Sequence, residues 1–182
     1  LEDGTISGVG GSAVDVFVRV DVSLDVVSID AGGSNNDAIT GYSAVHATTT
    51  NVTVTDSSDS AISVYGTAET ISTLYVASTT LTDNTYGMYI SNATSTNISG
   101  VEISGGQYGI VASDSAMTIA TSSIAGMTQK SVRNLTPDSM VLAENNWWGS
   151  ATGPQHPTLN SGGLGAGVSD GVDFEPWLAY DP

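Results

Sequence analysis

The sequence predicts an all-β chain wound into a parallel solenoid, and three observations predict it. No apolar pattern with helical spacing is sustained, and the strong helix formers Lys, Gln, Arg and Glu are scarce. Short runs instead alternate apolar and polar residues and are rich in β-branched side chains, as half-buried strands are. These runs are also copies of one another, returning every 20 to 26 residues. A unit that small cannot bury its own apolar face, whereas stacked copies cover each other and share hydrogen bonds. Leu is too sparse for a leucine-rich repeat.

The elements follow in chain order. Alternation opens at Val14-Asp15-Val16-Phe17-Val18-Arg19-Val20-Asp21-Val22 and returns at Asn51-Val52-Thr53-Val54-Thr55, Ser72-Thr73-Leu74-Tyr75-Val76 and Gly100-Val101-Glu102-Ile103-Ser104. A small residue followed by an apolar one recurs at Ala13-Val14, Ala38-Ile39, Ala61-Ile62, Gly87-Met88, Gly109-Ile110 and Ser131-Val132, with steps of 25, 23, 26, 22 and 22 between the apolar members. A second ladder pairs Val76 with Leu81, Ile98 with Ile103 and Ile119 with Ile124, each pair five apart. Two ladders moving in step predict one apolar column of Val14, Ile39, Ile62, Met88, Ile110 and Val132. Gly, Asn, Asp and Ser clusters mark the turns. Six to seven coils at a spacing of about 4.8 Å give a rod about 30 Å long.

Composition narrows the function. The 182 residues include 3 Lys+Arg against 19 Asp+Glu, a formal net charge of -16, and no cysteine. So few cations exclude a phosphate-gripping footprint, and hence nucleic-acid partners, and an anionic membrane surface repels the chain. Without Cys there are no disulfides, thiolate metal sites or cysteine nucleophiles. No run approaches 18 apolar residues, so no membrane insertion is expected. No basic-then-apolar leader follows Leu1, so a signal peptide is expected to be absent or already removed.

From Met140 the repeat gives way to Glu144-Asn145-Asn146-Trp147-Trp148-Gly149, then Gly153-Pro154, a Gly-rich stretch at 162–167, and Val172-Asp173-Phe174-Glu175-Pro176-Trp177-Leu178. The division expected is therefore solenoid coils over 1–139 and a C-terminal capping segment over 140–182. This ending and the coil pattern together resemble the right-handed parallel β-helix proteins of the pectin-lyase-like superfamily, in particular secreted and cell-surface members. The resemblance implies that the six to seven coils read from the repeats form a right-handed β-helix. An open solenoid end is an exposed core, and Trp147, Trp148, Phe174 and Trp177 supply bulky groups to plug it. One Trp of the adjacent pair must point inward. The other end carries no such cap: Ile6, Val9 and Val14 already read as a coil. Self-association, or neighbouring coils of a longer chain, is the expected partner there.

The superfamily includes polysaccharide lyases and pectin hydrolases, so the resemblance raises the expectation of carboxylate or cation chemistry. Inverting hydrolysis needs two carboxylates about 6.5–9.5 Å apart. Asp56 and Asp59 flank a turn and Asp15 and Asp21 alternate along a run, without the adjacent Asp-Asp or Gly-His-Gly patterns of the pectin hydrolases. A lyase needs cations to neutralise a uronate, and there are three: Arg19, Lys130 and Arg133. Lys130 shares the station of Tyr86 and Tyr108, which suggests cation–π stacking. His46 and His156 lack metal-site spacing and read as surface or cap residues. Calcium is the one candidate cofactor, at Asp30-Ala31-Gly32-Gly33-Ser34-Asn35-Asn36-Asp37 or Ser169-Asp170-Gly171-Val172-Asp173, although Asx turns account for both stretches. An ice-binding face would need Thr-x-Thr on every coil. Thr53-Val54-Thr55 is set against Leu74-Tyr75-Val76 and Ile98-Ser99-Gly100, so the array is not sustained. Sequons begin at Asn51, Asn92, Asn97 and Asn134.

The function expected is a non-catalytic extracellular module, a cell-surface stalk, adhesin or assembly subunit. Tyr75, Tyr89 and Arg133 are its candidate surface contacts on one face. The alternative is a carbohydrate-active module, either a lyase or a glycan binder, with glycans as partners.

Overall fold

A computed structural model describes residues 2–7, 11–17, 21–32, 36–42, 46–67 and 72–182. Arg19, Val9 and the middle of the 30–37 stretch lie outside the described residues. The strands are β1 (Glu2–Ser7), β2 (Val14–Phe17), β3 (Asp21–Asp30), β4 (Ile39–Tyr42), β5 (His46–Thr50), β6 (Thr53–Thr55), β7 (Ser60–Tyr65), β8 (Thr73–Ala77) and β9 (Thr80–Thr82). They continue with β10 (Tyr86–Ser91), β11 (Ser95–Ser99), β12 (Glu102–Ser104), β13 (Tyr108–Ser113), β14 (Met117–Ala120), β15 (Ser123–Ala125), β16 (Lys130–Asn134), β17 (Val141–Leu142) and β18 (Val172–Asp173). No helix occurs among the described residues.

Every strand pairing is parallel, and each strand pairs with its copy one turn away. A six-stranded sheet runs β16-β13-β10-β7-β4-β2. A twelve-stranded sheet runs β15-β12-β9-β6-β3-β5-β8-β11-β14-β17-β18, with β1 also on β3. It comprises two faces, because β3 continues round a corner that later turns break into two strands. The first half of β3 pairs β5 and the second half pairs β6. The chain is thus an all-β parallel solenoid with three faces per turn.

It makes about five complete turns rather than six to seven. Ser131-Val132 keeps the ladder into a sixth, but there the second face shrinks to the two residues of β17 and the third to one bridge between Ser123 and Trp147. The ladder of pairs counts rungs on one face, whereas a complete turn needs strands on all three.

The predicted column is in register throughout. Val14 pairs Ile39, Ile39 pairs Ile62, Ile62 pairs Met88, Met88 pairs Ile110 and Ile110 pairs Val132. All but the partly buried Val14 belong to the buried core. The second ladder is equally exact in register, with Val76, Ile98 and Ile119 in one column and Leu81, Ile103 and Ile124 in the next. The small residue before each core member has a steric cause at its last glycines. A Cβ on Gly87 would lie 2.6 Å from Ile103 Cγ2, and one on Gly109 2.6 Å from Ile124 Cγ2. The faces converge there, leaving no room for a side chain.

The corner between the second and third faces explains the five-residue spacing. Asn51, Ser78, Gly100, Thr121 and Asn145 all take positive φ, from 47° to 59°. The next residue at each corner, Val52, Thr79, Val101, Ser122 and Asn146, turns inward and is buried. Hence Asn145-Asn146-Trp147-Trp148 is a further corner of the solenoid. Asn145 bends the chain, and Asn146 Oδ1 accepts from Ser122 N at 3.0 Å. Asn146 Nδ2 donates to the carbonyls of Ile119, Ala143 and Glu144 at 2.8, 2.8 and 3.2 Å. Trp148, wholly buried, follows Ile124 in its column, since Ile124 N donates to Trp147 O.

The residues after 140 continue the stack before leaving it: Val141 pairs Met117, and Val172 pairs Val141. Phe174 is 2 % exposed and belongs to the core with Trp148, Trp177 packs partly buried against it, and Trp147 is half-buried. Gly153 lies under Trp177, whose ring would stand 2.5 Å from a Cβ there. His156 is buried beneath the same segment. Its Nδ1 accepts from Thr158 N and Leu159 N, and its Nε2 lies 3.3 Å from Asp170 Oδ1.

Candidate functional site

Outward side chains on the two main faces stack in columns as the inward ones do. On the six-stranded sheet, the Tyr42 and Tyr65 rings stack 5.3 Å apart at 15°, and those of Tyr86 and Tyr108 5.5 Å apart at 7°. Tyr89 links the pairs, 5.6 Å from Tyr65 and edge-on to Tyr86 at 6.3 Å. Arg133 closes the series, its guanidinium 5.3 Å from the Tyr108 centroid and Nη1 donating to Tyr108 Oη at 3.2 Å. Lys130 does share the Tyr108 register, but its Nζ donates to Val168 O at 3.1 Å, so the cation over that ring is Arg133. The tail carbonyl captures the lysine first.

Beside this ladder, Tyr65 Oη donates to Oδ2 of the buried Asp37 at 3.2 Å, and Ser60 N donates to Asp37 Oδ1 at 3.1 Å. Burial, together with Asp37, pushes the Tyr65 hydroxyl up to about 12. Burial and then the Asp37 charge raise the Asp59 carboxyl above the ordinary aspartate value. The ring faces are occupied by neighbouring rings, so the ladder is a brace across turns.

Tyr75 lies elsewhere. It sits on β8, whereas Tyr89 and Arg133 sit on β10 and β16 of the other sheet, so the three do not share a face. Asp15 and Asp21 also separate, onto β2 and β3 in different sheets. Asp21 instead joins Tyr75 in a groove of about 470 Å³ on the second face, with His46, Thr73, Ser95 and Asn97. Register makes the groove: Asp21 pairs His46, His46 pairs Thr73 and Thr73 pairs Ser95. The adjacent outward column runs Ser23, Thr48, Tyr75 and Asn97. His46 Nδ1 and Thr73 Oγ1 are 2.6 Å apart, and Asn97 Nδ2 is 3.5 Å from Ser95 Oγ. Tyr75 is 45 % exposed, between the short side chains of Thr48 and Asn97. Sequence pattern alone missed this constellation because Asp21, His46 and Tyr75 follow one another at separations of 25 and 29 positions, and only the register of the turns aligns them.

The third face corrects the Thr-x-Thr reading. Thr53-Val54-Thr55 pairs with Thr80-Leu81-Thr82, not with Leu74-Tyr75-Val76, and then with Glu102-Ile103-Ser104 and Ser123-Ile124-Ala125. Ser28-Ile29-Asp30 precedes it. The hydroxyl array spans two full rungs, bounded by Asp30 and Glu102.

For a cation, Asp30 Oδ1 accepts from Gly32 N at 3.0 Å, an Asx turn, and Asp170 faces His156. Among the described residues no three His, Asp or Glu side chains converge on one point. Of the sequon asparagines, Asn51 and Asn97 are exposed, whereas Asn134 is 5 % exposed and spends both amide hydrogens on Ser139 O and Gly171 O.

No family model matches this sequence, and no curated protein or solved structure matches it either.

Proposed function

We propose that this chain is a non-catalytic structural and adhesive β-helix module of the cell exterior, a stiff spacer of the pectin-lyase-like type. One observation carries the reading: two apolar ladders hold register through about five turns and run into Trp148 and Phe174 at the C-terminal end. A filled stack of this kind resists bending, because a local bend opens packed layers on one side. Trp147, Trp148, Phe174 and Trp177 serve as the end plug, keeping the last rung from presenting an open core to other chains. The charge of -16 favours an outside setting, where self-repulsion keeps neighbouring copies soluble.

A uronate-polysaccharide digest tests it directly. No unsaturated, ultraviolet-absorbing sugar is expected over a panel of pectins and alginates, and its release would replace this reading with a lyase. Surface proteolysis of the producing cells tests the location: the protein is expected to be cut while the cells are intact. The second reading, a glycan-binding module, is favoured by the groove around Tyr75 alone.

A further inference from the structure

We infer that the groove around Tyr75 binds neutral, hydroxyl-rich sugar units of a glycan chain. The inference rests on the glycan-binding reading and specifies its ligand, and the spacer role stands or falls separately. Three features point to this chemistry.

The first is the ring. Tyr42, Tyr65, Tyr86 and Tyr108 stack in pairs on the six-stranded sheet, each ring facing another. Tyr75 is 45 % exposed and has short polar side chains above and below it. A pyranose presents a patch of C–H groups that packs on such a face as aliphatic groups do. The second is the surround. Asp21 supplies a carboxylate with the capacity to accept from two adjacent sugar hydroxyls, and Asn97, Thr73, Ser95 and His46 supply both donors and acceptors within the same groove. A few polar groups around one apolar surface is the usual make-up of a small-ligand site. The third is charge. Among the described residues the lining contains no Lys or Arg and one carboxylate, and the chain's net charge of -16 works against anionic sugars.

Calorimetric titration of the intact chain with cellohexaose, laminarihexaose, mannohexaose and chitohexaose tests the inference, with hexagalacturonate as the anionic comparison. At least one neutral probe is expected to bind and hexagalacturonate to bind at least tenfold more weakly. Tyr75→Ala is expected to weaken the neutral probe by about tenfold, the loss of one aromatic contact of about 1.4 kcal/mol, and Tyr75→Phe to retain most of it. Asn97→Ala is a second lining variant, expected to weaken binding severalfold. Thr82→Ala on the third face is expected to change nothing. Absence of binding by all four neutral probes, equal binding of hexagalacturonate, or full affinity in both Tyr75→Ala and Asn97→Ala would each overturn it. Absence of binding together with a rod-like wild-type scattering profile would overturn the inference and leave the spacer role standing.

Discussion

Four residues show how position within a turn, rather than residue type, sets the role of a side chain. Asn146 is a polar group at the core whose Oδ1 accepts one bond and whose two amide hydrogens are shared among three carbonyls. Asn146→Ala strands Ser122 N and the carbonyls of Ile119 and Ala143 in a buried site, a loss of about 3 kcal/mol, readable as a lowered midpoint in urea. Thr121 is a β-branched residue held at φ 50° at a corner where Gly100 sits one turn earlier. Thr121→Gly relieves that strain and is expected to stabilise the fold by about 1 kcal/mol, measured the same way. Tyr65 gives a pH signature. Its folded hydroxyl is pushed up to about 12, against about 10 in the unfolded chain. Between those values the unfolded chain sheds a proton that the folded chain keeps, so stability falls as pH rises across the window. Tyr65→Phe is expected to flatten that fall in alkaline melting experiments. Asp59 works in the acid range. Its raised carboxyl means that ionisation is penalised in the fold, so Asp59→Asn is expected to raise the melting temperature at pH 7. The gain disappears as pH drops below the ordinary aspartate value.

Among elements, the strands of the six-stranded sheet keep one register from Val14 to Val132. The Ile110 side chain is fully buried between Met88 and Val132. Ile110→Ala leaves a cavity that neighbouring rungs cannot collapse into without losing their own register, at a cost of about 2–5 kcal/mol. The small–apolar pair was legible in the sequence because one residue in each turn must be small where the faces meet, as the Ile103 and Ile124 contacts over Gly87 and Gly109 show. The Thr-x-Thr equivalence was not legible. Strands on different faces share the same alternation, and nothing in Thr53-Val54-Thr55 itself says whether its partner begins at Leu74 or at Thr80. Corner geometry decides that, through the positive φ of Ser78 two residues before Thr80.

For the molecule as a whole, each turn touches its neighbours alone, so stability is a sum over interfaces and the ends are its weak points. Trp148→Ala removes the largest buried side chain at the C-terminal end, a loss of about 3–5 kcal/mol. It is expected also to promote association between ends, visible as a concentration-dependent rise in mass by light scattering, if the aromatic cluster acts as a plug. A variant that is destabilised yet strictly monomeric would leave Trp148 as core packing without a plugging role.

Sequence alone determined that the chain is a solenoid of parallel strands and which side chains stack inside it. Burial selects for apolar character at fixed spacing, and two ladders in step leave one winding that buries both. Which surface groups meet was decided by the tertiary structure. Outward positions carry no such selection, so Asp21, His46, Thr73 and Tyr75 become neighbours through the winding of the backbone, while Tyr75 and Tyr89 are parted by it. The turn count was decided there too, because a rung is complete only when all three faces close around it.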